Sequence, residues 1–172
     1  MLRPVALAAY VGLACLPSVL HAQGDDPTSR ATLAGLAGVQ VVVEALPQEA
    51  EQRGLSQSNI QTDAELALRM AGIRVLTENE SLQPANVGLL HILINVFQSS
   101  AFPGLYAYTF TISIHQKVAL QRLPGSIFLG PTWSMPSFVG MVGEQHLGGV
   151  REDVRDGVNR FINAYLAANP RR

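Results

Sequence analysis

The sequence predicts an α+β fold, a two-layer sandwich of order β-α-β-β-β-β-α, with two helices packed on one face of a five-stranded mixed sheet. Three patterns carry this expectation. Residues 106–120 alternate strictly between apolar and polar side chains, the mark of a sheet covered on one side only. Residues 38–77 read strand, helix, strand, the order of a crossover unit with parallel pairing. Residues 150–168 carry an apolar stripe at helical spacing with a charged opposite face.

The elements follow in order. Residues 38–46 (GVQVVVEAL) form the first strand, rich in β-branched valine. The next helix has Ser56, Ser58 and Thr62 as candidate N-caps, and Thr62-x-x-Glu65 has capping-box spacing. Ile60, Ala64, Ala67, Leu68 and Ala71 share one face of it, and Gly72 is the expected stop. Residues 73–77 (IRVLT) read as a short strand. Residues 89–98 (LLHILINVFQ) are apolar on both faces and suit a central strand. Phe102-Pro103-Gly104 turns the chain into residues 106–120, and Pro124-Gly125 is a second expected turn, of type II. Residues 126–135 follow, with Ile127, Leu129, Trp133 and Met135 on one face and Pro131 pointing to an edge or a bulge. The glycine-rich residues 137–149 read as a loop, and the last helix carries an Asp156–Arg160 pair at i, i+4.

The apolar stripes also predict how the two longest strands pair. Setting Val96 opposite Tyr106 or Tyr108 joins Leu90, Ile92, Ile94 and Val96 to the Tyr106, Tyr108, Phe110, Ile112 and Ile114 stripe. A slip of one residue would undo that burial. This register sets His91 and His115 on the opposite face, within a residue or two of each other across the strands.

The N-terminus reads as an export signal. Arg3 precedes an apolar stretch from Val5 to Leu20, and Ala22 offers a small residue for cleavage. The stretch is short for a spanning helix and holds Pro17, and a span needs roughly 20 apolar residues. The expected division is therefore 1–22 signal peptide, 23–37 flexible leader and 38–172 a single α+β domain. A periplasmic or secreted location follows from cleavage near Ala22. The alternative is a membrane anchor through Cys15 or an uncleaved N-terminal segment.

Composition narrows the function. The chain is 48% hydrophobic and 15% charged, which excludes a disordered polyelectrolyte. Cleavage at Ala22 removes Arg3 from 12 basic residues and leaves 11 against 13 acidic ones, a net charge of −2. No basic stripe marks a nucleic-acid binder. The lone Cys15 excludes a disulfide framework and a cysteine zinc site. There is no Gly-x-Ser-x-Gly elbow, no Ser-x-x-Lys and no His-Glu-x-x-His, so no catalytic residue is expected, and neither a cofactor nor a metal. The His91 and His115 strands lack a Cys, Asp or Glu to complete a metal set. The candidates are surfaces instead. One is the outer sheet face carrying Leu93, Phe97, Thr109, Thr111 and His115. The other is the loop with Phe138 and Met141 among glycines, where methionine gives adaptability.

The segments GLSQSNIQTDAELALRMAGIRVL (54–76) and VREDVRDGVNRFINAYLAANP (150–170) resemble those of an uncharacterised family of small exported bacterial proteins. The layout is also similar to the small α/β domains of bacterial envelope accessory proteins. These include the N-terminal domain of the Tol-system propeller protein and the outer-membrane assembly lipoproteins. The resemblance implies a non-catalytic envelope module that binds an envelope protein or its own copy. Two alternatives stand beside it: a small-molecule binder using the space between the helices and Trp133, and a hydrolase with dispersed residues.

Overall fold

The computed structural model describes residues 24–81, 86–98 and 100–170. The expected signal peptide and its cleavage site lie outside the described residues. Helix α1 is Pro27–Ala31, followed by strand β1, Gly38–Val43. Helices α2 (Gln48–Gln52), α3 (Gln57–Met70) and α4 (Glu78–Ser81) precede strand β2, Val87–Gln98. Strands β3 (Leu105–Leu120), β4 (Leu123–Ser134) and β5 (Phe138–Gly143) follow, then a 3-10 turn at Glu144–Gly149 and helix α5, Val150–Ala168.

The sheet is five-stranded and mixed. β1 and β2 pair in parallel, and β3 pairs antiparallel with β2 on one side. On its other side β3 pairs with β4 along residues 113–120 and with β5 along residues 105–110. β4 and β5 thus lie end to end on the same edge of one 16-residue strand. The expected loop at 137–149 is corrected here. Met135-Pro136-Ser137 interrupts the ladder, and the chain then rejoins the same edge as β5. Gly140 makes this possible, because any side chain there would collide with the Tyr108 ring.

The β2–β3 register is the one that buries most apolar surface: Val96 lies opposite Tyr108, and Ile92 opposite Ile112. Leu90, Ile92, Ile94, Tyr106, Tyr108, Phe110, Ile112 and Ile114 are all buried on one face. Helices α3 and α5 cover it with Ile60, Ala64, Leu68, Val154, Val158 and Phe161. Gly157 lets α5 approach closely: a Cβ there would stand 3.0 Å from Phe110 Cε2.

Local chemistry explains several differences from expectation. Ser56 is the N-cap of α3, accepting from the Asn59 N–H. Thr62 lies inside the helix and donates to the Ser58 carbonyl at 2.8 Å, while Glu65 pairs with Arg69, so no capping box forms there. Gly72 at φ +78° ends the helix, with Gly72 N–H bonding to Arg69 O and Ile73 N–H to Leu68 O. Residues 73–77 touch the outer edge of β1 through one parallel bridge, Val39 to Val75. They then turn away, because Glu80 accepts from the backbone and hydroxyl of Thr77 and draws the chain into α4.

The β3–β4 hairpin turns at Gln121-Arg122, and Gly125 sits within β4 without a positive φ, so the turn expected at Pro124-Gly125 moves. Pro131 does mark a bulge. It pairs with His115, while Trp133 pairs with Ile114, leaving Thr132 between them. The extra residue reverses the alternation: Trp133 and Met135 enter the core, whereas Ile127 and Leu129 emerge on the opposite face.

The leader is packed rather than flexible. Leu33 and Leu36 are buried, and Trp133 donates its indole N–H to Asp25 at 2.8 Å. Asn169 accepts from Gly35 N–H at 2.8 Å and donates to Leu33 O at 2.9 Å, and Tyr165 donates to Leu36 O at 2.9 Å. Helix α5 is tied to α3 by Arg151 and Asp63, with Nη2 to Oδ1 at 2.6 Å; among the described residues Arg155 pairs with Glu152, and no Asp156–Arg160 bridge forms.

Candidate interaction surface

Helices cover one face of the sheet, and alternation sends every second side chain to the other. Among the described residues only the short α4 overhangs that second face, at its β1 corner, where Ser81 donates to Gln40. The face is built from the odd positions of β2 and β3. Its cross-strand rows are read directly from the register. Phe97 lies beside Ala107, and Ala107 beside Met141. Asn95, Thr109 and Val139 form the next row. Leu93 and Thr111 follow, and the Thr111 hydroxyl contacts that of Ser137 at 3.1 Å.

Leu93, Phe97, Thr109 and Thr111 therefore share this face as the sequence predicts, and Met141 joins them. Phe138 does not. It lies opposite Phe110, on the helix side, and its ring stacks on Phe110 and Tyr108 with centroids 5.0 and 5.9 Å away. The two candidate surfaces are one, because β5 brings Val139 and Met141 beside β3. Val139 is 71% exposed, Met141 68% and Phe97 59%. Within β2, β3 and β5 no charged side chain stands in these three rows; Glu44, whose N–H continues the β1 ladder to the Ile92 carbonyl, flanks the Leu93 row.

The middle of the face is polar. His91 Nε2 lies 2.7 Å from Glu44 Oε1, and His115 Nε2 lies 3.0 Å from the buried Ser113 hydroxyl. The two rings are 5.1 Å apart between centroids, so the expected proximity of the histidines holds. Partial burial, and then the nearby His91, hold the His115 imidazole below the usual histidine range. Among the described residues no group of three His, Cys, Asp or Glu side chains is placed to hold a metal ion.

Beyond His115 the face continues onto the outer half of β3 and β4. There Leu129 pairs with Lys117 and Ile127 with Ala119. β2 reaches no further along β3 than Leu89 opposite His115, so this outer half is a two-stranded arm. It exposes Leu120, Leu123, Ile127, Phe128 and Leu129. Sequence reasoning missed the arm, since its bulge moves Ile127 and Leu129 off the Trp133 face. Pro131 was the available signal. Beside the arm a cleft of about 370 Å³ is lined by Gln40, Ser81, Leu89, His115, Lys117 and Leu129. Trp133 is buried with the Phe161 ring of α5 5.4 Å away, and a cleft of about 190 Å³ remains between α1 and the Trp133 segment of β4.

On the helix side, Tyr108 donates to Asp153 of α5, and burial together with that bond pushes its hydroxyl up to about 12. At the same end Tyr106 donates to Glu49 at 2.9 Å, and Arg53 lies over the Tyr106 ring at 5.6 Å while pairing with Glu49 and Glu144. These contacts fasten α2 and the 3-10 turn to β3. Among the described residues no helix is long and apolar enough to cross a membrane.

No protein-family model matches the chain, and neither does any curated protein. Among solved structures it is similar to a minor lipoprotein from Acinetobacter baumannii, at 10% identity and a TM-score of 0.40, over 78% of this chain and 93% of that one. It is also similar to rare lipoprotein B from Shewanella oneidensis, at 10% identity and a TM-score of 0.38, over 76% and 94% of the respective chains.

Proposed function

We propose that the protein is an exported envelope module without catalytic activity, whose uncovered sheet face docks a protein partner. One observation carries this reading: the uncharged patch of Leu93, Phe97, Val139 and Met141 around Thr109 and Thr111. Contiguous exposed apolar surface of this kind marks interaction sites on folded proteins. Threonine hydroxyls among the apolar groups suit a partner that supplies both backbone polar groups and apolar side chains. The export half of the reading rests on the charged, then apolar, then small-residue order of residues 1–22.

The test places a photoreactive residue at Thr111 and, as a control, at the exposed Asn159 on the outer side of α5. Irradiation of cells should give a discrete adduct from position 111 and none from 159. An absence of adducts at 111, with the protein folded and exported, would refute docking through this face. The cleft beside His115 supports a second reading, a small-molecule site with Gln40, Ser81 and Lys117 at its rim. Native mass spectrometry of the protein purified from its host would then show a bound small molecule, and an unadorned mass would count against it.

A further inference from the structure

We infer that the partner of this face is a second copy of the chain, seated face to face about a two-fold axis with its strands running in the opposite direction. This rests on the reading of the face as a docking surface. The order of chemistry along the face leads to it. At one end stand Phe97, Val139 and Met141. The middle holds Thr111, His91, Ser113 and His115. At the far end stand Leu129 and Ile127 with Ala119. The succession apolar, polar, apolar reads the same from either end, which is what an isologous interface needs.

Consider an axis lying between the two sheets, perpendicular to the strands and passing over His91 and Ser113. Rotation about it keeps each strand position and reverses its direction. Because β4 and β5 occupy the same edge of β3, the β5 of one copy then lies over the β4 of the other. Met141 meets Ile127, and Val139 meets Leu129. On β3, Thr111 meets His115 and Thr109 meets Lys117, and on the axis His91 and Ser113 meet their own copies.

The size is sufficient. From Ala107 to Ala119 the face runs about 40 Å at roughly 3.4 Å per residue; β3 with β4 and β5 is about 10 Å wide along all of it at ~4.8 Å per strand, and β1 and β2 overlap their copies only over the ~15 Å around His91. Each copy thus offers a footprint of about 500 Å², about 1,000 Å² for the pair, the size at which a specific interface begins. Aligned sheets pack about 10 Å apart with strands some 30° from parallel, a geometry open to this pairing. The pairing also supports the arm, since an isolated two-stranded ribbon is marginal in water.

Sedimentation equilibrium on the chain should show a dimer. Met141→Lys and Ile127→Glu are both made at exposed positions, and circular dichroism checks that the fold is kept. Each single change should weaken self-association by at least about tenfold, and the combined Met141→Lys/Ile127→Glu chain should recover to within about threefold of the parent. Recovery is specific to the reversed pairing, because only there do positions 141 and 127 meet. A monomer at about 100 µM, or a dimer indifferent to both single changes, would overturn the inference. If the chain is monomeric yet position 111 still gives an adduct with another protein, the docking face stands and the second copy falls. If neither is seen, both fall.

Discussion

Replacing Gly140 by alanine would drive a methyl group into the Tyr108 ring. A Cβ at this position would stand 2.5 Å from the hydroxyl oxygen and 2.6 Å from Cε1, more than 1 Å inside normal contact. The ring cannot easily yield. It is 5% exposed, stacks on Phe138, and is held at its tip by Asp153 of α5. Either the Tyr108–Asp153 bond breaks or β5 lifts off β3. Overpacking costs about 1–3 kcal/mol, and loss of a hydrogen bond to a charged acceptor about 1.5–3. Alanine regains about 0.5–1 kcal/mol of strand propensity over glycine. The net loss is then about 2–4 kcal/mol, or roughly 5–15 °C in melting temperature for a chain of this size. The assay is urea unfolding followed by tyrosine and tryptophan signals, repeated on a Tyr108→Leu background. There the ring is absent and Gly140→Ala should cost less than about 0.5 kcal/mol, giving a large coupling in the double-mutant cycle. An equal cost in the two backgrounds, or a negligible cost in the parent, would refute the close-approach argument.

Two further outcomes follow from the geometry. Asn169→Ala removes partners of Gly35, Leu33 and Tyr165 and should destabilise by about 1–3 kcal/mol, with the leader becoming sensitive to proteolysis before the rest; uniform protease resistance would count against the latch. His115 is depressed by burial and by His91, so its contribution to stability is full above about pH 6.5 and is lost as pH falls through its folded value. The groups around it are His91 with its Glu44, the Ser113 hydroxyl, and Lys117 on the same strand. His115→Gln should flatten the decline in urea midpoint between pH 8 and 5, and an unchanged decline would assign it to other groups.

Much of this molecule was legible because its strands obey simple alternation. Tyr106 to Ile114 carry one apolar face, and one register joins it to the Leu90, Ile92, Ile94 and Val96 stripe, so both the pairing and the histidine proximity followed. The illegible parts share a cause: each departs from local pattern for a tertiary reason. Residues 138–143 look like a glycine-rich loop, yet the glycine at 140 exists to clear Tyr108, a residue 32 positions away in sequence. Residues 73–77 look like a strand, but Glu80 turns the chain aside after one bridge. The alternation of 127–135 is broken by a bulge that Pro131 only hints at. The surface residues Leu93, Phe97, Thr109 and Thr111 were readable from the same alternation. Phe138 reads as part of an exposed docking loop in the sequence, because a loop assignment gives a residue no side; in β5 it faces the helices.

The latch between leader and α5 has a consequence for the order of events when the chain folds. Gly35 and Asn169 are 134 residues apart, and Trp133 must be seated before Asp25 can hold it. The meander from β2 to β5 can form from near neighbours, whereas the leader finds its seat only after the last turn of α5 exists. A growing chain therefore stays open at both ends until its synthesis is nearly complete. Under the export proposed above, late closure would keep the chain competent for passage across a membrane.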